Sequence, residues 1–124
     1  MSTLKADTIQ STGGGTATLT KQNAAKGWVN FNGVGTIAIR DTLNVGSLTD
    51  NGTGDYETNL TASMSNANFG VVIATGNVAG TSAQRDEEVR GMTSSQVGVA
   101  VFHTSNEGAR DVDFVSTSMH GELA

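Results

Sequence analysis

Histidines are the residues of this chain best suited to bind a metal ion or transfer a proton, and the sequence contains two, His103 and His120. If several copies met on a symmetry axis, one imidazole from each could hold Zn, Ni or Fe. Neither residue belongs to a His-x-His motif. We therefore expect solvent-facing or hydrogen-bonded histidines, and we predict no metal ion and no other cofactor.

Two carboxylates, Asp111 and Asp113, are spaced to share one face of a strand, as a pair working by general acid and base catalysis can be. The same spacing is typical of a solvated strand edge, where charges discourage aggregation. The chain lacks the Gly-x-Ser-x-Gly motif that exposes a nucleophilic serine on a sharp turn. We predict that the protein is not an enzyme and has no catalytic residues.

The stretch SLTDNGTGDYETNL, residues 47–60, places two carboxylates around an Asn-Gly pair. A cation loop of the EF-hand type would need a register and a final Glu that are missing. A phosphate loop would need a Lys after its second Gly, which is also missing. Asn-Gly and Gly supply the positive backbone angles of tight hairpin connections. We therefore predict a β-hairpin, with its turn assigned to Asp50, Asn51, Gly52, Gly54 and Asp55.

Short segments with alternating apolar residues follow one another from residue 26 to the C-terminus. In TIAIR, for example, Ile37 and Ile39 fall on one face, as the period of two in a strand requires. Turn residues separate such segments about every ten residues, a spacing typical of antiparallel sandwiches and barrels. We predict an all-β fold for residues 26–124, an antiparallel β-sandwich or barrel-like knob.

One charge-dense segment interrupts this pattern, AQRDEEVRGM at residues 83–92. It is the best helix candidate of the chain. Because it contains Gly91 and has no apolar stripe, we predict a helical turn within a polar loop and not a full helix. The acidic residues Asp86 to Glu88 would then lie on a solvated face.

The composition predicts a thin hydrophobic core. Leu, Ile, Val and Phe make up about a fifth of the 124 residues, close to the level at which charged chains become disordered. The chain has no Cys, so disulfide bonds cannot compensate, and oligomerisation is the best remaining remedy. We predict that large apolar residues divide between one chain's core and an axis shared by three chains. These residues are Trp28, Phe31, Ile37, Ile39, Phe69, Val71 and Ile73.

Charge and hydropathy exclude several classes of partner. The net charge is −5, and the seven basic residues are scattered, whereas contacts to phosphate need clustered Lys and Arg. We therefore predict no nucleic-acid partner. The longest apolar run, VVIA, is too short to span a membrane, and MSTLKADTIQ has no signal-peptide pattern. We expect a protein made in the cytoplasm, neither secreted nor inserted into a membrane.

Residues 1–25 differ from the rest and predict an extended N-terminal arm. A short alternating segment is followed by three glycines, Gly13 to Gly15, which predict a hinge, and then by TATLT. An extended segment can add to a sheet edge of a partner, with side-chain pockets giving specificity. The residues assigned to attachment are Leu4, Asp7, Ile9 and Leu19.

Residues 27–74, GWVNFNGVGTIAIRDTLNVGSLTDNGTGDYETNLTASMSNANFGVVIA, resemble a module in the fibre and tail-tip proteins of bacteriophages. A Trp-x-x-Phe segment, a Thr-Ile-x-Ile strand and a Thr-Asp-Asn-Gly-Thr-Gly-Asp-Tyr turn follow one another as in that module. STLKADTIQSTGGGTATLT is similar to the arm that precedes it. The resemblance implies a homotrimeric, β-rich virion component without catalysis. It does not extend beyond residue 76.

Fibre proteins usually carry a long shaft, whereas here the arm reaches the module at once. We therefore expect a short trimeric knob on the virion surface, fastened by its arm to another shell protein, as in capsid decoration, cement or head-fibre proteins. The alternative is a tail-fibre or tail-tip module that binds a receptor on the host surface. Exposed aromatic residues would favour the alternative, but residues 76–88 and TSNEGAR contain none.

Overall fold

The computed structural model describes residues 10–15, 24–77, 85–104 and 108–124, and within these ranges the chain forms eight β-strands and no helix. The predicted all-β fold is thus confirmed for the described residues, which include no helix that could cross a membrane. The strands are β1 (Gly27–Asn32), β2 (Ala38–Leu43), β3 (Val45–Gly52), β4 (Asp55–Leu60), β5 (Gly70–Gly76), β6 (Arg85–Met92), β7 (Gln96–His103) and β8 (Phe114–His120).

The strands form two antiparallel sheets of four strands each. Sheet 1 has the order β2-β1-β8-β5, and sheet 2 has the order β3-β4-β7-β6. The pairs β1–β2, β3–β4 and β6–β7 are neighbours along the chain, whereas β8 returns to sheet 1 and lies between β1 and β5. One apolar core contains residues of both sheets, as in a β-sandwich.

The segment predicted to form a helical turn is an edge strand instead. Residues Arg85–Met92 form β6, which pairs antiparallel with β7, with a register shift between Val89 and Gly91. Most of the strand is exposed, so Asp86 to Glu88 remain in water while its backbone bonds to β7. Two guanidinium nitrogens of Arg85, its first residue, are buried. The prediction was wrong because pairing with β7 is a tertiary contact that the composition of the segment does not reveal.

Inward-facing residues of the central strands supply the core. Branched Val side chains predominate, and they suit the pleated surface of a sheet. Phe31 of sheet 1 and Tyr56 of sheet 2 meet there edge to face, with ring centroids 5.3 Å apart. Among the described residues, the fully buried apolar ones are Val29, Phe31, Tyr56, Met64, Val97, Val99, Val101, Val112, Val115 and Met119.

All but one of the apolar residues assigned to a core or a shared axis belong to the core of the single chain. Phe31 and Phe69 are buried in the core, and a second set is partly buried against it, namely Ile37, Ile39, Val71 and Ile73. Trp28 differs from these. It is half-buried and alternates along β1 with the inward-facing Val29, so it lies on the outer face of sheet 1.

The glycines of the N-terminal region form a closed turn. Ser11 N donates to Gly15 O at 2.9 Å, and Gly14 N donates to Ser11 O at the same distance. Gly14 has a φ of 79°, which favours Gly. The predicted hinge is therefore a hydrogen-bonded turn in the structure. Of the predicted arm, residues 1–9 and 16–23, with Leu4, Asp7, Ile9 and Leu19, lie outside the described residues.

Asn44 ties the two sheets together where the chain passes from β2 to β3. Its φ of 57° is the one positive value among the described residues other than Gly. The side-chain Nδ2 donates to Lys26 O at 3.0 Å and to Ala62 O at 2.9 Å, while Oδ1 accepts from Ala62 N at 2.7 Å. Because Lys26 precedes β1 and Ala62 follows β4, one side chain joins sheet 1 to sheet 2.

We expect Asn44→Ala to lower the free energy of unfolding by about 2 kcal/mol, since three hydrogen bonds are lost and water replaces them only in part. Urea unfolding followed by the fluorescence of Trp28 measures the change. Asn66→Ala is the matched control, because the exposed Asn66 bonds only its neighbours Ser65 and Asn68. Its effect should stay below about 0.5 kcal/mol. Equal losses in the two variants would contradict the role of Asn44.

Candidate functional site

Residues 47–60 form a β-hairpin, the structure that their sequence predicts. β3 and β4 pair antiparallel as far as Gly52 opposite Asp55, so Thr53 and Gly54 are the connecting residues. The required positive φ angles occur at Gly52, 128°, and at Gly54, 65°. Of the other residues assigned to the turn, Asp50 and Asn51 lie at the end of β3 and Asp55 lies at the start of β4.

The tip of this hairpin is packed against the chain and is not an open loop. Gly54 is buried; its carbonyl oxygen accepts from Val101 N at 2.8 Å, and its N–H donates to Asp111 Oδ1 at 2.8 Å. A Cβ at this position would lie 2.5 Å from Val101 O, so only Gly fits. The hairpin tip is therefore a structural joint, the point at which the hairpin is bonded to β7 and to the segment before β8.

One oxygen of each carboxylate at the hairpin turn is paired with a donor of the protein itself, while Asp55 Oδ1 is buried without a hydrogen-bond partner among the described residues. Asp50 Oδ1 accepts from Gly52 N at 3.0 Å, and Asp55 forms an ion pair of 2.8 Å with Arg90 of β6. Within the described ranges, no three His, Cys, Asp or Glu residues are grouped as metal ligands would be. The geometry is thus that of the predicted hairpin turn, and not that of a cation loop or a phosphate loop.

Asp111 is the acceptor on which this joint depends. Its Oδ1 accepts from Gly54 N and lies 3.0 Å from Tyr56 Oη, which also lies 2.8 Å from Gly33 O. The hydroxyl has one proton and so donates to one of these acceptors at a time. Burial, followed by the neighbouring Asp111 carboxylate, raises the pKa of Tyr56. Tyr56 therefore remains protonated and able to donate.

The sequence placed Asp111 and Asp113 on one face of a strand, but β8 begins at Phe114 and both residues precede it. Asp111 is half-buried and holds the hairpin tip. Neither an acid–base pair nor a solvated strand edge describes it. The sequence signal for this role was weak, because Asp111 is 55 residues away from its partner Tyr56.

The two histidines lie in different sheets of the same chain. His103 ends β7 of sheet 2, and His120 ends β8 of sheet 1. The Nε2 atom of His120 lies 3.0 Å from the hydroxyl of Ser118, two residues earlier on the same strand. One chain therefore does not bring the two imidazoles together, and His120 has the hydrogen-bonded environment that the sequence analysis favours.

A shallow groove of about 330 Å³ lies on the outer face of sheet 2, above Gly98. Its polar groups are paired with one another. Gln96 Nε2 donates to Glu57 Oε1 at 2.9 Å and to Asn59 Oδ1 at 3.0 Å. The lining residues are Glu57, Arg90, Gly91, Met92, Thr93, Gln96 and Gly98.

The outer face of sheet 1 carries an aligned set of residues that we call the apolar row: Leu43, Trp28, Ser118 and Val72. Each faces the next on the neighbouring strand, so the row crosses all four strands. Leu43 is 48% exposed and Val72 is 62% exposed. Phe114, 37% exposed, lies on the same face opposite Gly76. Three of the five exposed large apolar residues in the described ranges, Leu43, Val72 and Phe114, therefore lie on this face.

Sequence reasoning included Trp28 but missed Leu43 and Val72 as members of one surface. The period of two within each segment indicates part of this arrangement, because it places Val72 on the face opposite to Val71 and Ile73. The order of strands in sheet 1, which places these residues side by side, is absent from the local pattern.

We expect Tyr56→Phe to lower the free energy of unfolding at neutral pH by about 1–2 kcal/mol, because the ring is kept while the buried hydrogen bond is lost. In the unfolded chain a tyrosine ionises near pKa 10, whereas folding raises the pKa of Tyr56. Wild-type stability should therefore fall as the pH rises above about 10. The Phe variant lacks this titration, so the difference in stability should shrink there. Urea unfolding across this pH range tests it, and a constant difference would contradict it.

Comparison with known proteins gives no relative for this chain. No protein-family model, no curated protein and no solved structure matches it. The functional conclusions that follow depend on the residues and on the geometry described above.

Proposed function

We propose that this protein is a non-enzymatic structural component of a bacteriophage virion. In this proposal three copies form a short knob on the virion surface, and the N-terminal arms fasten it to a capsid protein. The observation that carries the proposal is the partly apolar outer face of sheet 1, whose central strands β1 and β8 contain no Asp, Glu, Lys or Arg. The resemblance of residues 27–74 to phage fibre modules supplies the virion context.

The apolar row supports self-association through sheet 1. A solvent-facing side of an antiparallel sheet normally carries polar residues, but Leu43, Trp28 and Val72 form a band across this one. Burying such side chains against copies of the same face would remove apolar area from water, at about 25 cal/mol for each Å². This gain would supplement a core built mainly of Val.

The distribution of charge supports the same surface. The centre of an interface is normally depleted of charged residues. On the central strands of sheet 1, the outward residues beside the apolar row are Asn30, Ser116 and His120, none of which is Asp, Glu, Lys or Arg. Among the strands of this sheet, such residues occur only on the edge strand β2, where Asp41 lies opposite Asn30 and Arg40 lies over the ring of Phe114. The acidic residues Asp86 to Glu88 instead lie on β6 of sheet 2, in water. Sheet 1 is therefore the better face for contact between identical, acidic chains.

The groove on sheet 2 offers no aromatic contact to a receptor, whereas Trp28 and Phe114, two aromatic residues that reach the surface, lie on sheet 1. Receptor contacts commonly use exposed Tyr, Trp or Phe, and none of the seven residues that line the groove is aromatic. Its Glu, Gln and Arg side chains are also engaged with neighbours. A tail-tip module that reads the host surface therefore remains the alternative, and particle binding distinguishes the two.

Attachment is assigned to the N-terminal arm because of its sequence. Leu4 and Ile9 would contact the shell protein, and three arms on one knob would raise the effective concentration of each. Each arm alone can then bind weakly while the trimer stays bound.

We expect the protein to be a trimer at micromolar concentration and Val72→Lys to convert it to monomers, because three lysines would be buried near one another. Light scattering measures the mass. Val34→Lys is the matched control, since Val34 is 47% exposed but lies in the turn after β1. The control should remain trimeric with an unchanged melting temperature. A wild-type protein that is a stable monomer would contradict the proposed assembly.

Deleting residues 1–15 should leave a folded trimer that no longer joins the virion, because the contact residues are lost while the sandwich is intact. The double change Leu4→Asp, Ile9→Asp should weaken attachment with little change in the melting temperature. The measurement is co-sedimentation with phage particles that lack this protein. If the truncated and full-length proteins bind equally, the arm is not the attachment device. Labelled protein located at the tail tip would favour the receptor-binding alternative.

A further inference from the structure

Two Asn-Gly pairs lie in the described part of the chain, Asn32-Gly33 and Asn51-Gly52. Such a pair can modify itself, because the backbone nitrogen of the Gly can attack the side-chain carbonyl carbon of the Asn. The Gly has no Cβ to obstruct this approach. Reactions of this kind are fast only when the two atoms come within about 3.5 Å in the right orientation. The way in which each pair is held therefore decides which of them reacts.

The pair Asn32-Gly33 is held in a closed arrangement. Asn32 Nδ2 donates to Val34 O at 2.9 Å, and Asn32 Oδ1 accepts from Val34 N at 3.3 Å. Gly33 is buried, and its N–H donates to Val112 O at 2.9 Å. An attack by this nitrogen would have to break the bond to Val112 and turn the Asn32 amide away from Val34. Local opening of the structure must therefore come first.

The pair Asn51-Gly52 is open to water. Both residues are exposed at the end of β3. The register with β4 shifts between Asp50 and Gly52, so Asn51 is an extra residue in the ladder, as in a β-bulge, with no partner opposite it. Within the described residues, no side-chain hydrogen bond holds the Asn51 amide. This amide can therefore rotate toward Gly52 N without unfolding of the strand.

One interaction restrains the nucleophile of the open pair. Gly52 N donates to Asp50 Oδ1 at 3.0 Å. The attacking nitrogen must lose its proton, and a negative charge beside it makes that loss less favourable. The same bond fixes the direction of the N–H group. Because Asp50 is exposed, water competes for this bond, so Asp50 slows the attack without preventing it.

We propose that Asn51 is a site of spontaneous deamidation at the exposed tip of the β3–β4 hairpin and that Asp50 restrains the reaction. A bond forms between Gly52 N and Asn51 Cγ, the bond from Cγ to the side-chain nitrogen breaks, and that nitrogen leaves as ammonia with the proton of Gly52 N. The product is a five-membered succinimide. Water then adds to one of its two carbonyl carbons and opens the ring to aspartate or isoaspartate. Water is the one co-reactant.

The modification would change both the charge and the backbone of the hairpin tip. Either product replaces a neutral amide with a carboxylate next to Asp50. Isoaspartate also adds one atom to the main chain, just before the buried Gly54, where a Cβ would already lie 2.5 Å from Val101 O. The isoaspartate form should therefore fit the joint at Gly54 less well. The site does not depend on a virion role.

The test incubates the folded full chain in mildly alkaline buffer and follows both Asn-Gly pairs by peptide mass spectrometry, with chromatography to separate aspartate from isoaspartate. We expect Asn51 to deamidate at least about tenfold faster than Asn32, because Asn32 reacts only after local opening. The same chain in urea is the control, where the two pairs should react at similar rates. Equal rates in the folded chain would overturn the proposal, as would an Asn51 that reacts in urea and not in the folded chain.

The restraint is tested with Asp50→Ala, which removes the acceptor of Gly52 N–H. The rate at Asn51 should rise about two- to tenfold, the factor that corresponds to one net hydrogen bond. Asp41→Ala is the matched control, because Asp41 is also exposed and accepts from the N–H of Thr42 at 2.8 Å, on β2. It should change neither rate. The rate at Asn32 reports any loss of folding in each variant. An unchanged rate at Asn51 in Asp50→Ala would overturn the restraint.

Discussion

The sandwich depends on Tyr56, which joins the two sheets through both parts of its side chain. The ring packs against Phe31 in a core with few large residues, and the hydroxyl lies within hydrogen-bond distance of Gly33 O and Asp111. A Cβ at Gly33 would lie 2.6 Å from that hydroxyl, so β1 can approach β4 only because residue 33 has no side chain. Because the core alone is thin, such bonds between side chains and backbone set how the sheets meet.

The two outer faces are built differently, and the difference divides their roles. Sheet 2 presents paired polar groups, such as Glu57 with Gln96, and a charged edge strand. Sheet 1 presents Trp28, Leu43 and Val72, and among its strands only the edge strand β2 carries Asp, Glu, Lys or Arg. Water solvates the first face well and the second face poorly. Contact between identical acidic chains would therefore be less costly through sheet 1, because its central strands carry no Asp, Glu, Lys or Arg that must be desolvated.

The edge strands of the two sheets also differ in charge. Arg40, Asp50 and the charges of β6 protect three edges at little cost, because these side chains remain in water. β5 lacks this protection and faces outward with Val72 and Ala74. It lies beside β6 of sheet 2, where Thr75 is hydrogen-bonded to Glu87.

The sequence by itself determined the features that depend on neighbouring residues. The period of two predicted the strands, the Asn-Gly and Gly spacing predicted the β3–β4 hairpin, and the low apolar content predicted a thin core. Tertiary structure decided what depends on distant partners. Residues 85–92 are a strand because β7 lies beside them, and Asp111 is a structural acceptor because Tyr56 and Gly54 reach it across more than fifty residues. Strand order likewise decided that Trp28, Leu43 and Val72 share one face, because the lateral order of strands comes from long-range hydrogen bonds that a local pattern does not encode.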